Sequence, residues 1–254
     1  MEKFVCKIDP KIIYDLNNQI SKNRIINWAP DYNDQAGISF DDLSYILDYW
    51  KNKFSWTNEE EKLNKFNQYV FQYDNVKTHF LHIKSNHKNS IPLLLIHGWP
   101  GSIFEFNDLI PLLTSPDKND LKDHLAFDLI IPSLPNVGFS FSPKQKPLDL
   151  NEISKHFIKL MKTLDYQKYF IQGGDLGSFI ASIMAVNVPK EVMGIHLNLL
   201  PLPRGLNNKP NNIEEENYYE KLRYFMKYET GYQQIQGTKP FTLAHALNAS
   251  PVAL

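Results

Sequence analysis

The chain has 254 residues, a formal net charge of −1 and a hydrophobic fraction of 43%, which suit a single soluble α/β domain. The near-neutral charge argues against a nucleic-acid-binding surface. No apolar run approaches the ~18 residues that a membrane span needs. The only cysteine, Cys6, excludes an intramolecular disulfide and fits a reducing compartment. These features predict a cytoplasmic protein.

Residues 1 to about 65 are predicted to be helical. Apolar residues recur at helical spacing in two stretches, Ile12, Ile13, Leu16 and Ile20, and then Leu43, Ile46, Leu47 and Trp50. Ser39 to Asp42 form a Ser-x-x-acid pattern just before the second stretch, which indicates a helix start. The acids at 59–61 indicate a third helix start, because negative charge is favourable near a helix N-terminus.

The pattern then changes to that of a β-hairpin. Residues 68–73 and 77–83 are strand-like and flank Asp74-Asn75, a good turn pair. His79 and His82 are three residues apart, so they lie on opposite faces of their strand. No third ligand candidate accompanies them, and both are interpreted as structural residues rather than metal ligands.

Strands and helices alternate from residue 91 onward. The apolar runs 91–96, 127–132 and 193–200 are typical of strands buried in a parallel sheet, and helical patterns separate them. This order predicts a doubly wound, mostly parallel α/β fold. After residue 201, an amphipathic stretch to Tyr228, a loop over 230–240 and a helix over 242–249 are expected. The predicted segments are therefore 1–88, 89–200 and 201–254.

The most informative stretch is 171–178, Ile-Gln-Gly-Gly-Asp-Leu-Gly-Ser, between a short strand and an apolar helical run. A strand, a small-x-acid-x-small turn and a helix form the layout of a nucleophile elbow. The turn is so sharp that only residues without bulk fit at Gly173 and Gly177. Asp175 stands where serine is commoner. Two roles remain open for it, a nucleophile or the N-cap of the following helix.

A carboxylate at this position needs no base to become nucleophilic. It can attack an sp³ carbon and leave an alkyl-enzyme ester, which suits epoxides first and alkyl halides second. Hydrolysis of that ester needs oxyanion donors, and the backbone N–H groups of Trp99 and Leu176 are the candidates. His97 is interpreted as bracing the Trp99 loop rather than as the general base. No Gly-x-Ser-x-Gly motif occurs, which argues against a serine hydrolase.

Four segments together carry a family resemblance: 47–54, 97–102, 173–178, and 229–232 with 238–240. On these motifs the chain resembles the microsomal-type epoxide hydrolases of the α/β-hydrolase superfamily, over most of its length. The resemblance implies an α/β-hydrolase fold with the family's N-terminal segment over 1–88, and conversion of epoxides to vicinal diols. It implies that Asp175 is the nucleophile and that Tyr232 is one of two tyrosines protonating the epoxide oxygen. Leu176 departs from the tryptophan of many relatives, but only its backbone N–H would be used.

The same resemblance places the general-base histidine, its acid and the second tyrosine beyond Leu254. It therefore implies a C-terminally truncated chain, with an incomplete sheet, an uncovered edge at 195–200 and only the start of a cap over 201–254. Such a chain is expected to be alkylated without turning over. The alternatives are a non-catalytic truncated fragment or binding module, and a hydrolase similar to haloalkane dehalogenases.

The expected partners are a small apolar epoxide and water, with no cofactor, metal or nucleic acid. The resemblance implies a role in detoxification of xenobiotics. It also allows peripheral association with the endoplasmic reticulum beside the cytoplasmic location. The sequence does not determine the substrate, its stereochemistry or the oligomeric state.

Overall fold

The computed structural model describes residues 1–26, 37–116, 125–200 and 209–253. In these ranges the strands are β1 Glu2–Phe4, β2 Gln68–Tyr73, β3 Val76–Ile83, β4 Ile91–Ile96, β5 Phe127–Pro132, β6 Tyr169–Gly173 and β7 Val192–Leu197. The α-helices are α1 Pro10–Lys22, α2 Phe40–Asn52, α3 Trp56–Leu63, α4 Leu109–Thr114, α5 Leu150–Thr163, α6 Leu176–Asn187, α7 Ile213–Tyr228, α8 Gly231–Thr238 and α9 Pro240–Ala249. Two 3₁₀ turns lie at Ile103–Phe106 and Gly138–Ser140.

The seven strands form one mixed sheet in the order β1-β2-β3-β5-β4-β6-β7. The pairs among β5, β4, β6 and β7 are parallel, whereas β1, β2, β3 and β5 pair antiparallel. The helices α4, α5 and α6 connect the successive parallel strands, which confirms the predicted doubly wound topology. Among the described strands β7 pairs only with β6 and forms one edge of the sheet, as predicted.

Both faces of the central strands are buried, which explains their continuous apolar sequences. Leu94, Ile130 and Ile171 belong to a core cluster that includes residues of α5 and α6. Leu93 and Ile131 occupy alternate positions and are also buried, so they face the opposite side of the sheet. The sheet is therefore enclosed by side chains on both faces in the region that carries β4, β5 and β6.

The described chain divides into two compact units. Unit 1 comprises Met1–Cys6 and Glu61–Leu202 and contains the sheet; unit 2 comprises Lys7–Glu60 and Pro203–Leu254 and contains α1, α2, α7, α8 and α9. These units do not coincide with the three predicted segments. The hairpin β2–β3 lies in the predicted segment 1–88, but β3 pairs with β5, so the hairpin belongs to the sheet of unit 1. The boundaries at 88 and 200 remain a prediction about sequence segments.

Two secondary-structure predictions are wrong. The N-terminal residues are not all helical, since Glu2–Phe4 form an edge strand paired with Gln68–Val70; three residues are too few to reveal a period. The predicted loop over 230–240 is the helix α8, followed at once by α9. Its glycines and its exposed surface hide the helical period, and Pro240 occupies the first turn of α9, where a proline is tolerated.

Three other features of the elements bear on the predictions. Ser39 caps α2, with its hydroxyl accepting the Asp42 N–H at 3.0 Å, as its motif predicts. The strand expected over 193–200 ends at Leu197. None of the helices in the described ranges is long and apolar enough to cross a bilayer.

Candidate active site

Asp175 lies on a sharp turn between β6 and α6. Its φ angle is +48°, in a region that a side chain of this type seldom adopts. A Cβ built on Gly173 would overlap the carbonyl of Gly177, and a Cβ on Gly177 would overlap the carbonyl of Ile96. Backbone passes against backbone at both positions, which confirms that only glycine fits there.

The side chain of Asp175 does not cap α6, although the residue occupies the N-cap position. Among the described residues its carboxylate accepts no hydrogen bond from the N–H groups of that helix. Instead, its Oδ1 accepts the backbone N–H of Trp99 at 2.9 Å. The N-cap alternative left open by the sequence is therefore wrong for the side chain.

The loop after β4 brings Trp99 to Asp175. Because β4 and β6 are parallel neighbours, the segments that follow them meet at the same edge of the sheet. A Cβ on Gly98 would overlap the Cβ of Asp175 and lie 2.8 Å from its Cγ. The absence of a side chain at Gly98 is thus what permits the close approach. The next peptide bond, Trp99–Pro100, is cis.

His97 braces this loop, as predicted. Its Nε2 accepts the N–H of Leu134 at 3.0 Å, so in the neutral ring Nδ1 carries the proton and donates to the Gly98 carbonyl at 2.7 Å. Burial lowers the pKa of His97, only partly offset by the bond to Gly98. Both ring nitrogens are engaged with backbone, which leaves neither to act as a base.

Three further histidines of unit 1 are also held by the fold. Their ring nitrogens bind protein side chains: His79 binds Ser133 and Gln68, His82 binds Tyr166, and His156 binds Thr78. Burial lowers the pKa of His79 and that of His156 to about 4. In the described ranges no three His, Cys, Asp or Glu side chains form a group that could hold a metal ion.

Leu176 and Tyr232 are the other predicted site residues. Leu176 begins α6, so its N–H has no carbonyl four residues earlier within the helix to bind. It follows Asp175 directly in unit 1. Tyr232 lies in the first turn of α8 in unit 2, with 45% of its surface exposed. Its hydroxyl accepts a hydrogen bond from Gln233 Nε2 at 2.9 Å.

Two family models match the chain. The one described as epoxide hydrolase N terminus matches residues 1–106, and the one described as alpha/beta hydrolase fold matches residues 91–229. Epoxide hydrolase 1 of Sus scrofa is 35% identical over 261 residues, covering 95% of this chain and 58% of the pig protein. The chain belongs to the epoxide hydrolase family of α/β-hydrolases.

Solved structures of this family have the same fold. The epoxide hydrolase of Aspergillus niger has a TM-score of 0.84 at 28% identity, covering 99% of this chain and 66% of that one. The juvenile hormone epoxide hydrolase of Bombyx mori has a TM-score of 0.79 at 30% identity, covering 99% and 60% respectively. The chain thus spans between 58% and 66% of the length of these relatives.

Two residues near Asp175 were not singled out in the sequence. Glu105 lies on the 3₁₀ turn after the Trp99 loop; its pKa is raised, first by burial and further by the charge of Asp175. The amide of Asn198 lies against Gly174, where an added Cβ would be 3.1 Å from its Nδ2. A sequence feature could have identified each of them. Ser102 to Glu105 repeats the Ser-x-x-acid pattern, and Asn198 directly follows a parallel strand.

Proposed function

We propose that this protein opens epoxides to vicinal diols through an ester on Asp175. The observation that carries the proposal is the 2.9 Å hydrogen bond from the Trp99 N–H to Asp175 Oδ1. It fixes one carboxylate oxygen on a backbone donor. The other oxygen, Oδ2, is then the atom available for attack on carbon.

In the first step Oδ2 forms a bond to an epoxide carbon while that carbon's bond to the ring oxygen breaks. The electron pair stays on the ring oxygen, which needs a proton to become a hydroxyl. By family resemblance Tyr232 is one of its donors, since a phenol can act as a general acid. The product is an alkyl ester of Asp175 that contains every atom of the epoxide.

In the second step water attacks the carbonyl carbon of the ester and negative charge develops on Oδ1. The Trp99 N–H already binds that oxygen, and the Leu176 N–H is the second proposed donor. Preorganised donors of this kind are worth roughly 100-fold or more each in rate. Collapse of the intermediate releases the diol and restores the Asp175 carboxylate, with an oxygen of the water retained.

The second step also needs a base to activate water. His97 and His79 have both ring nitrogens engaged, and His82 and His156 are held by side-chain hydrogen bonds. We therefore propose that none of these four is the base. With these four excluded, we propose that hydrolysis is slower than alkylation and that the ester accumulates.

The alternatives make different predictions. A haloalkane dehalogenase would use the same nucleophile but would release halide and need no proton donor. A binding module would retain the elbow without becoming alkylated. The family membership and the match of the N-terminal model to residues 1–106 support epoxide chemistry over both.

The test is incubation of the purified chain with an aryl epoxide and, separately, with an alkyl bromide, followed by intact-mass measurement. The proposal expects a mass increase equal to that of the epoxide, absent in Asp175→Ala. No adduct would favour the binding module, and preferential release of bromide would favour the dehalogenase. Steady formation of diol over many turnovers would contradict the proposed accumulation of ester.

The remaining proposals concern partners and location. The partners are proposed to be a small apolar epoxide and water. The cytoplasmic location, with peripheral association with the endoplasmic reticulum as the family allows, stays a prediction. Fractionation of cells expressing the tagged protein would test it.

A further inference from the structure

The carboxylate of Glu105 is bound to the loop that carries the Trp99 N–H. Its Oε1 packs on Gly101, where an added Cβ would overlap it. Burial raises the pKa of this carboxyl, and the nearby Ser102 N–H opposes the rise. The Glu105 N–H donates to the Ser102 carbonyl at 3.2 Å. The Ser102 hydroxyl accepts the N–H of Phe104 at 3.3 Å. Ser102 thus caps this turn through its carbonyl and its hydroxyl, and the Glu105 carboxylate folds back over Gly101.

The turn that carries Glu105 is fixed to the core of unit 1. Ile103 and Phe106, on either side of Glu105, are 1% and 4% exposed. The loop is also compact, since the Cβ position of Gly101 lies 3.3 Å from the Gly98 carbonyl. The Glu105 carboxylate therefore joins an anchored turn to a short loop, and Trp99 lies within that loop.

We propose that Glu105 is a positioning residue: its carboxylate holds residues 98–102 in the conformation that presents the Trp99 N–H to Asp175. Glu105 acts through the loop and has no direct part in bond making or breaking. The effect on rate rests on the proposed function, whereas the effect on the loop does not.

A capping box elsewhere in the same unit shows what a capping carboxylate looks like away from Asp175. The Asp149 carboxylate accepts the Glu152 N–H at 2.8 Å, and the Glu152 carboxylate accepts the Asp149 N–H at 3.0 Å. Glu152 also pairs with Lys146, which lowers its pKa, whereas burial and the nearby Asp175 raise the pKa of Glu105. Glu105 therefore differs from Glu152 in being partly buried and close to a like charge.

The experiment compares Glu105→Ala, Glu105→Gln and Glu152→Ala with the unchanged chain. Glutamine keeps the length of the side chain and an oxygen that can pack on Gly101, and Glu152→Ala removes a capping carboxylate away from Asp175. Two quantities are measured: the first-order rate of Asp175 alkylation by saturating aryl epoxide, and hydrogen exchange at the Trp99 amide by NMR. Exchange reports the loop directly and needs no chemistry.

The proposal expects Glu105→Ala to slow alkylation about tenfold, because small misplacements of a site are costly, and to speed Trp99 exchange by a similar factor. Glu105→Gln should retain most of the rate and protection, and Glu152→Ala should leave both unchanged. Equal losses in the alanine and glutamine variants, or an effect of Glu152→Ala as large as that of Glu105→Ala, would overturn it. If the unchanged chain is not alkylated, the proposed function fails. Trp99 exchange then decides this inference, and an unaltered rate in Glu105→Ala overturns it.

Discussion

The elbow between β6 and α6 and the helix α8 each carry one proposed catalytic residue. The two regions differ in how strictly the packing around their glycines limits the residues that fit. At the elbow, a Cβ on Gly173 or Gly177 would collide with backbone. In α8, a Cβ on Gly231 or Gly237 would meet no described atom within 4 Å. A site built by closely packed backbone can therefore be recognised in a sequence, whereas a single residue on an exposed helix cannot.

The largest expected effect is the loss of alkylation in Asp175→Asn, because an amide oxygen is a poor nucleophile at neutral pH. We expect a decrease of about 1,000-fold or more, in line with removal of other enzymic nucleophiles. The measurement is the rate of adduct formation by intact mass. Asp165→Asn is the matched control, since Asp165 also has a positive φ, of 63°, outside the site. Equal alkylation rates for both variants would show that Asp175 is not the nucleophile.

The second prediction compares the effect on stability of replacing a glycine in each of the two regions by alanine. Gly177→Ala should lower the free energy of unfolding by about 3 kcal/mol, because the new methyl group must displace the Ile96 carbonyl. Gly237→Ala, inside α8, should raise it by roughly 0.5–1 kcal/mol, because alanine restricts the unfolded chain and suits a helix. Urea titration measures both. A tolerated alanine at 177 would refute the crowding that defines the elbow.

The third prediction concerns acid, which should act on unit 1 before unit 2. His79 and His156 are neutral in the folded state with a pKa of about 4, whereas in the unfolded chain each binds a proton below about pH 6.5. Stability should therefore fall as the pH drops from about 6.5 towards 4, by roughly 1–2 kcal/mol per histidine at pH 5. In unit 2 the only histidine in the sequence is His245, which is exposed.

The measurement is hydrogen exchange at pH 7 and pH 5, corrected for intrinsic rates and reported separately for the two units. Unit 1 should lose protection and unit 2 should lose less. His156→Gln should reduce the pH dependence of unit 1. A uniform loss in both units would contradict the assignment to the buried histidines.

The smallest expected effect is that of Tyr232→Phe. Removing one of two proposed proton donors should slow epoxide alkylation about tenfold, since general acids contribute at least that much. Alkylation by an alkyl bromide needs no proton and should not change. Tyr228→Phe, at the last residue of α7, is the control. An unchanged rate of epoxide alkylation in Tyr232→Phe would show that Tyr232 is not a proton donor and that the assignment from the family resemblance is wrong.

The sequence predicted the central fold well because burial leaves a clear pattern. The apolar runs at 91–96 and 127–132 coincide with β4 and β5, and the turn at Asp74-Asn75 joins β2 and β3. It failed where burial leaves no pattern. The strand at Glu2–Phe4 is too short for a period, and α8 is too exposed and glycine-rich to have an apolar stripe.

The placement of some candidate residues could also be predicted, whereas their catalytic roles stay predictions. The turn chemistry of the two loops pointed to Asp175, the Trp99 N–H and His97. The structure joins the Trp99 N–H to Asp175, and His97 braces the loop by binding Leu134. Glu105 was missed because the Ser-x-x-acid pattern at 102–105 is typical of any helix start and does not indicate a role near Asp175. Tyr232 was identified only through the family resemblance, since one exposed tyrosine on a helix carries no local signal.

The most direct test of the central claim is peptide mapping of the chain after incubation with an aryl epoxide. Digestion and tandem mass spectrometry locate the modified residue, and hydroxylamine should release an ester but not an ether or amine adduct. We expect one hydroxylamine-sensitive adduct with the full mass of the epoxide, on Asp175. An adduct on another residue, or an unmodified Asp175 peptide when the reagent is in large excess, would contradict it.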